Sequence, residues 1–282
     1  MPTNRPVRAT LNRQPTTEGA GVRLNRVFGY HEAPRLDPFL MLDDFRSDRA
    51  EDYLKGFPWH PHRGIETITY VLKGDVEHGD SLGNTGVIGS GDVQWMTAGS
   101  GIIHQEMPKG DADGAMYGFQ LWANLPAAQK MMPPRYRGIA ADQIPEVELQ
   151  NGARAKVIAG TVGATRGPVD DIVIDPQYID CTLPAGATFN HPTDPDYTAF
   201  IYVIGGRGQT AGVHIANGTL VLFDSGDQLS VSAAGEPLRF LLLTGKPLHE
   251  TVAWRGPIVM NTPAELETAF REYQAGTFIK NR

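Results

Sequence analysis

Short apolar runs, each closed after four to nine residues by glycine, proline, aspartate or asparagine, recur along this chain and restrict its fold more than any other feature. "TITYVLKG", "VIGSGDVQWMTAGSG", "GIIHQEM" and "YGFQLWANLP" follow one another in the first half. Such segments are too short for helices and are rich in β-branched and aromatic side chains, so they predict strands joined by tight turns in a barrel or sandwich. The 32 glycines and 21 prolines supply the turns. Gly83, Gly86, Gly89 and Gly91 in "SLGNTGVIGSGD" are read as such turns, because no Lys-Ser/Thr follows them as in a phosphate loop.

A second series begins after the proline-rich tract "LPAAQKMMPPRYRGIAADQIP", which is expected to be a connector: "AKVIAGTVG", "TAFIYVIGGRGQTAG", "GTLVLFDSGDQLSVSA" and "LRFLLLTGKPL". The architecture repeats without a clear repeat of sequence, which predicts an all-β chain of two domains, residues 1–142 and 143–282. Near the end, "NTPAELETAFREYQAG" offers Thr262 as an N-cap with Glu265 three residues on, then Leu266, Ala269, Phe270 and Tyr273 at helical spacing. One short amphipathic helix is expected there.

Composition narrows the function. With 25 basic and 32 acidic residues the formal charge is −7, which argues against direct binding to nucleic acid or an anionic membrane. Arg5, Arg8, Arg13, Arg23 and Arg26 are interleaved with Asn, Thr and Gly and read as a solvated leading segment. Cys181 is the single cysteine, so neither an intrachain disulfide nor a thiolate metal cluster can form. No run approaches the ~20 apolar residues of a membrane span, and the N-terminus lacks a signal-peptide core. A cytoplasmic monomer is expected.

Chemistry is concentrated in two pairs. In "FPWHPHRGIETIT", His60 and His62 are spaced i, i+2, which in a strand places both on one face about 6 to 7 Å apart. Eight histidines in this length give roughly 0.2 such pairs by chance, so one pair alone decides little. A second follows in "GIIHQEM", where His104 and Glu106 share the spacing directly after the turn "TAGSG". Two such pairs on neighbouring strands can bring three imidazoles and a carboxylate to one transition-metal ion. Read singly, the same residues are exposed loop histidines and a surface hydrogen bond.

The runs "DPFLMLDDF", "GFPWHPHRGIETITYVLKGDVEHGDSLGNTGVIGSGDVQWMTAGSGIIHQEMP" and "GPIVMNT" closely resemble the pirin family of the cupin superfamily. The resemblance implies a bicupin, two tandem β-barrels, with one metal in the N-terminal barrel and none in the C-terminal one. It assigns His60, His62, His104 and Glu106 as ligands, usually of Fe(II), with nickel, cobalt, manganese, copper and zinc as alternatives. Other cupins take their carboxylate ligand from the strand carrying the His-x-His pair, here Glu66, which shares the face of His62 if that strand is regular. Its supporting role behind the ligands rests on the resemblance. Trp59 departs from the family pattern and is read as packing on the barrel rim, against narrowing of the pocket mouth.

The resemblance further implies a quercetin 2,3-dioxygenase, with a flavonol-like substrate and dioxygen as partners and Glu106 as general base. Other pirins resemble regulatory proteins, in which a metal-dependent surface docks on a transcription factor or metabolic enzyme. His78 in "VEHGDS" is expected to be exposed or to support the site. His191 in "FNHPTDPD" lacks a partner at i+2 and is read as a relic or loop residue.

Overall fold

A computed structural model of the protein describes residues 3–281, and its regular secondary structure is almost entirely antiparallel strands. The chain forms two compact units, and they exchange their ends. One comprises residues 14–34, 39–141 and 248–281, and the other residues 3–13, 35–38 and 142–247. Residues 248–281, which carry the C-terminal helix, cluster with the first unit.

The strands of the first half are β1 Val7–Asn12, β2 Gln14–Glu18, β3 Val22–Phe28, β4 Phe39–Asp44, β5 Phe57–His62, β6 Ile65–Lys73, β7 Asp75–Asp80, β8 Thr85–Ile88, β9 Val93–Thr97, β10 Ile102–Lys109, β11 Tyr117–Asn124 and β12 Arg135–Ile139. A seven-stranded sheet in the order β12-β9-β6-β11-β4-β3-β2 and a four-stranded sheet in the order β5-β10-β7-β8 make up the first unit, with the one-turn helix α1 Ala50–Tyr53 and the longer α2 Pro263–Gln274. The tract expected to be a connector contributes β12, an edge strand that pairs with β9 from Arg135↔Thr97 to Ile139↔Val93. Two of its four prolines, Pro133 and Pro134, lie just before the strand, where a missing N–H costs no ladder bond.

The same seven-plus-four arrangement recurs in the second unit, whose larger sheet includes β1 and whose smaller sheet is built from Thr188–Pro192, Gln228–Ala233, Arg207–Thr210 and Val213–Ala216. Its interior is packed with apolar side chains, among them Val157, Ile179, Phe189, Ile201, Phe240 and Leu242, with Cys181 fully buried between them. Burial holds the Cys181 thiol well above its ordinary pKa, so it behaves as a small apolar group.

The leading arginines are not uniformly solvated. Arg8 and Arg23 are exposed, but Arg5 is buried, donating from Nε to Thr193 Oγ1 at 2.8 Å and from Nη1 to the Asp224 carbonyl at 2.9 Å. The Asp224 carbonyl is within reach because the segment that follows Arg5 pairs as a strand, β1 with Thr219–Phe223. The expected helix is α2, started by the capping box of Thr262 and Glu265 with Pro263 at its first position. Ala269 is buried, Leu266 and Phe270 pack beside it, and Arg255 lies 3.8 Å over the Phe270 ring.

Candidate metal centre

Strand β10 alternates inward and outward: Ile102, His104, Glu106 and Pro108 are buried, while Ile103, Gln105 and Met107 are half-buried. The i, i+2 spacing thus places His104 and Glu106 on the inner face. Strand β5 is the edge strand beside it, which explains how "FPWHPH" tolerates two prolines. His104 pairs with His60 and Ile102 with His62, whereas Glu106 pairs with Phe57, so three steps along β5 match two along β10. The extra residue makes a bulge at Pro58 and Trp59 that re-aims the strand just before the histidines.

His60, His62 and His104 converge, with one ring nitrogen from each lying within 4.8 Å of the others. The Nδ1 of His60 lies 2.8 Å from the Pro58 carbonyl and that of His62 lies 3.0 Å from the Pro257 carbonyl. A carbonyl oxygen only accepts, so each Nδ1 carries the proton and each Nε2 presents a lone pair inward. Those two Nε2 atoms face each other at 3.0 Å. Both ring nitrogens of His104 are buried without a hydrogen-bond partner. Burial lowers the pKa of all three, those of His62 and His104 well below the ordinary value, with the neighbouring imidazoles pushing the same way for these two. Three neutral imidazoles with opposed lone pairs and an orphaned partner fit a divalent cation. Nitrogens about 2.1 Å from one ion lie no more than about 4.2 Å apart, so closure needs movement of only a few tenths of an ångström.

Glu106 faces the same cavity but stands outside the converging group. Its Oε1 lies 3.0 Å from Thr69 Oγ1, which also lies 2.6 Å from Gln120 Oε1, so one hydroxyl hydrogen serves two acceptors. Burial pushes the Glu106 carboxyl up to about 7. Glu66 does not share the face of His62. Gly64, at φ +78°, turns the chain between β5 and β6, and the phase of the pleat is lost there. On β6, Thr69 faces the cavity, while Glu66 points to the other side of the sheet, where it accepts from Trp95 Nε1 at 3.0 Å and Thr97 Oγ1 at 2.6 Å.

Trp59 is half-exposed on the opposite face of β5 from the histidines and does not line the cavity. His78 is half-buried, its ring parallel to that of Tyr136 at 6.0 Å. It is packed so closely over Gly86 that a Cβ there would lie 2.7 Å from its Nε2, so Gly86 serves a strand contact and not a turn. His191 is on the strand Thr188–Pro192 and not in a loop, with Nε2 donating to Gln177 Oε1 at 2.5 Å and its ring stacked on Phe189.

No motif or spacing marks Lys130. It is buried behind the centre, with Nζ donating to the carbonyls of Gly64 at 2.8 Å and Val259 at 3.2 Å and to Asn124 Oδ1 at 2.6 Å. Arg63, next to His62, is likewise buried and donates to the carbonyls of Ser100 and Phe278 and to Glu272. These cations clamp the turn that follows the histidine pair to the C-terminal segment. A cavity of about 600 Å³ opens in front of the histidines, walled by Leu24, Met41, Phe45, Phe57, Val76 and Trp122. It is large enough for a flat, drug-sized molecule.

Comparison with known proteins agrees with this geometry. The family model of Pirin matches residues 21–123, and that of the Pirin C-terminal cupin domain matches residues 178–279. The chain is 47% identical to a pirin-like protein of Caulobacter vibrioides over 275 residues, covering 97% of this chain and 99% of the relative. Among solved structures it is similar to a quercetin 2,3-dioxygenase from Acinetobacter baumannii, with a TM-score of 0.88, 31% identity and 98% of each chain covered. A bacterial pirin from Escherichia coli in complex with nickel(II) shares the fold at a TM-score of 0.65 and 22% identity, over 85% of this chain and 98% of that one. No helix among the described residues is long and apolar enough to cross a membrane. With both domain models matched along most of its length and near-complete relatives at this level of identity, the chain belongs to the pirin family.

Proposed function

We propose that the protein is a metal-dependent dioxygenase acting on flavonols such as quercetin, with His60, His62, His104 and Glu106 as the ligands of one divalent metal, Fe(II) in the active form. The observation that carries this reading is the convergence of three neutral imidazoles beside a cavity whose walls include Leu24, Met41, Phe45, Phe57, Val76 and Trp122. The similarity to a solved quercetin 2,3-dioxygenase supports the choice of substrate. A bound metal would supply a Lewis acid for the enolic oxygen of the substrate and the redox chemistry that dioxygen requires.

This chain's own residues do the rest. Glu106, whose carboxyl burial pushes up to about 7, accepts the proton of the enolic hydroxyl, and Thr69 beside it turns its hydroxyl hydrogen toward Gln120 or back to Glu106 as that charge changes. Phe57 and Trp122 flank the histidines and exclude water from the flat ring. Oxygen uptake by the iron-loaded protein, initiated with quercetin, tests the reading. One dioxygen consumed per quercetin lost is expected, and no uptake above that of free iron refutes it.

A further inference from the structure

The cavity is not polar only at the histidines. Arg26 on β3 pairs with Asp43 on β4, Asp43 with Gln120 on β11, and Gln120 with Thr69 on β6. Residues directly opposite one another in an antiparallel sheet share a face, so these four form one straight polar row across an otherwise apolar wall. All four line the cavity. At ~4.8 Å per strand the row spans on the order of 14 Å, with Thr69 at one end touching Glu106 and Arg26 at the other.

The Arg26 end has the form of a recognition site. Its Nε and Nη2 donate to the two oxygens of Asp43, each at 2.9 Å, and its Nη1 lies 2.9 Å from Glu18 Oε1. Three of the five guanidinium N–H groups are thereby engaged and two remain. Asp43 is buried, whereas the Arg26 side chain keeps 31% of its exposure and that of Glu18 keeps 41%. A rigidly held donor thus stands next to an accessible acceptor, both facing a cavity. A hydroxyl group, which accepts and donates at once, satisfies the pair, and a methyl ether or bare ring carbon does not.

Resting on the flavonol reading, we propose that Glu18, Arg26 and Asp43 form a second recognition site, which selects polyphenols bearing hydroxyl groups on the ring remote from the metal. Asp43 fixes the guanidinium plane, Arg26 donates to the hydroxyl oxygen, and Glu18 accepts its hydrogen. The enolic oxygen is held at the histidine end and the remote ring at this one, so the row sets both the length and the polarity of the substrate.

The test is anaerobic binding to the metal-loaded protein, read by quenching of tryptophan fluorescence, with quercetin and with galangin, which lacks the remote hydroxyls. Quercetin is expected to bind ~10-fold or more tightly than galangin, the scale of a hydrogen bond to a charged group. Glu18→Ala, at a part-exposed position, and the double variant Arg26→Met with Asp43→Leu, which leaves no buried charge unpaired, are expected to bring the ratio of the two affinities close to one. Equal affinity for the two flavonols in the wild type, or a preference that survives in both variants, overturns the proposal. Oxygen uptake under air separates the two readings. Oxidation without preference leaves the dioxygenase reading standing and this one refuted, and preference without oxidation does the reverse. Failure to bind either flavonol overturns both.

Discussion

Gly64→Ala should weaken the first unit more than any other glycine-to-alanine change made in an open turn. Gly64 adopts φ +78°, and a Cβ built on it would lie 1.9 Å from the Val259 carbonyl oxygen. Its N–H donates to the Gly99 carbonyl at 2.8 Å and its own carbonyl accepts from Lys130 Nζ at 2.8 Å, so the turn cannot swing away without breaking bonds on both sides. The left-handed backbone costs alanine ~1–2 kcal/mol, and the enforced backbone displacement adds ~1–3 kcal/mol, together on the order of 3–4 kcal/mol. Gly83 is the control, because it has φ +87° and nothing within 4 Å of its Cβ position. Gly83→Ala should cost only the backbone part, about 1 kcal/mol. The gain from a stiffer unfolded chain is common to both and cancels. All four tryptophans, Trp59, Trp95, Trp122 and Trp254, belong to the first unit, so urea unfolding followed by tryptophan fluorescence reports that unit alone. Because His62 is two residues from the displaced turn, metal affinity should fall with stability. A Gly64→Ala midpoint no lower than that of Gly83→Ala would show that the contact with the Val259 carbonyl adds nothing to the backbone cost.

The buried ionisable groups give three further outcomes. Glu106→Gln retains the three histidines and so most of the metal, but oxygen uptake with quercetin should fall by ~10²–10⁴, as expected on loss of a general base. Glu66→Gln keeps an oxygen for Trp95 Nε1 but turns an amide N–H₂ toward Thr97 Oγ1, whose hydroxyl hydrogen then loses its acceptor, and should cost ~1 kcal/mol of stability with little change in turnover. A larger loss of turnover in Glu66→Gln than in Glu106→Gln would contradict both assignments. His191 is buried with its pKa lowered to about 4 by desolvation, against an ordinary value of 6.5. Between those values the unfolded chain binds a proton that the folded chain does not, so stability rises with pH and acidification from 6.5 to 4 costs about 3 kcal/mol. Hydrogen exchange of the strand Thr188–Pro192 should show that loss in the wild type and less of it in His191→Gln; parallel pH profiles would show that His191 is not responsible.

The strands were legible because their length and punctuation are local properties, and the capping box of α2 was legible for the same reason. So was the pairing of His60 with His62 and of His104 with Glu106, since the two-residue period of a strand fixes a shared face. The face of Glu66 was not, because it depends on a single positive φ at Gly64, which the alternation of neighbouring side chains does not encode. Nor were the exchanged ends of the two units, the burial of Arg5, or the strand in the proline-rich tract, each of which depends on contacts between residues far apart in the chain. Lys130 escaped notice because its three acceptors, two backbone carbonyls and Asn124, include no partner of opposite charge. The Arg26, Asp43, Gln120 and Thr69 row was equally hidden, since it becomes a row only when the strand register is known.

Elemental analysis of protein purified without added metal asks whether three histidines from two adjacent strands hold one metal ion. The wild type should carry about one transition-metal ion per chain and His104→Ala close to none, because the buried ring nitrogens of His104 have no hydrogen-bond partner from the protein. Full metal content in the folded His104→Ala variant, or a wild type that takes up no iron, nickel or other divalent metal even when it is supplied, would contradict the account.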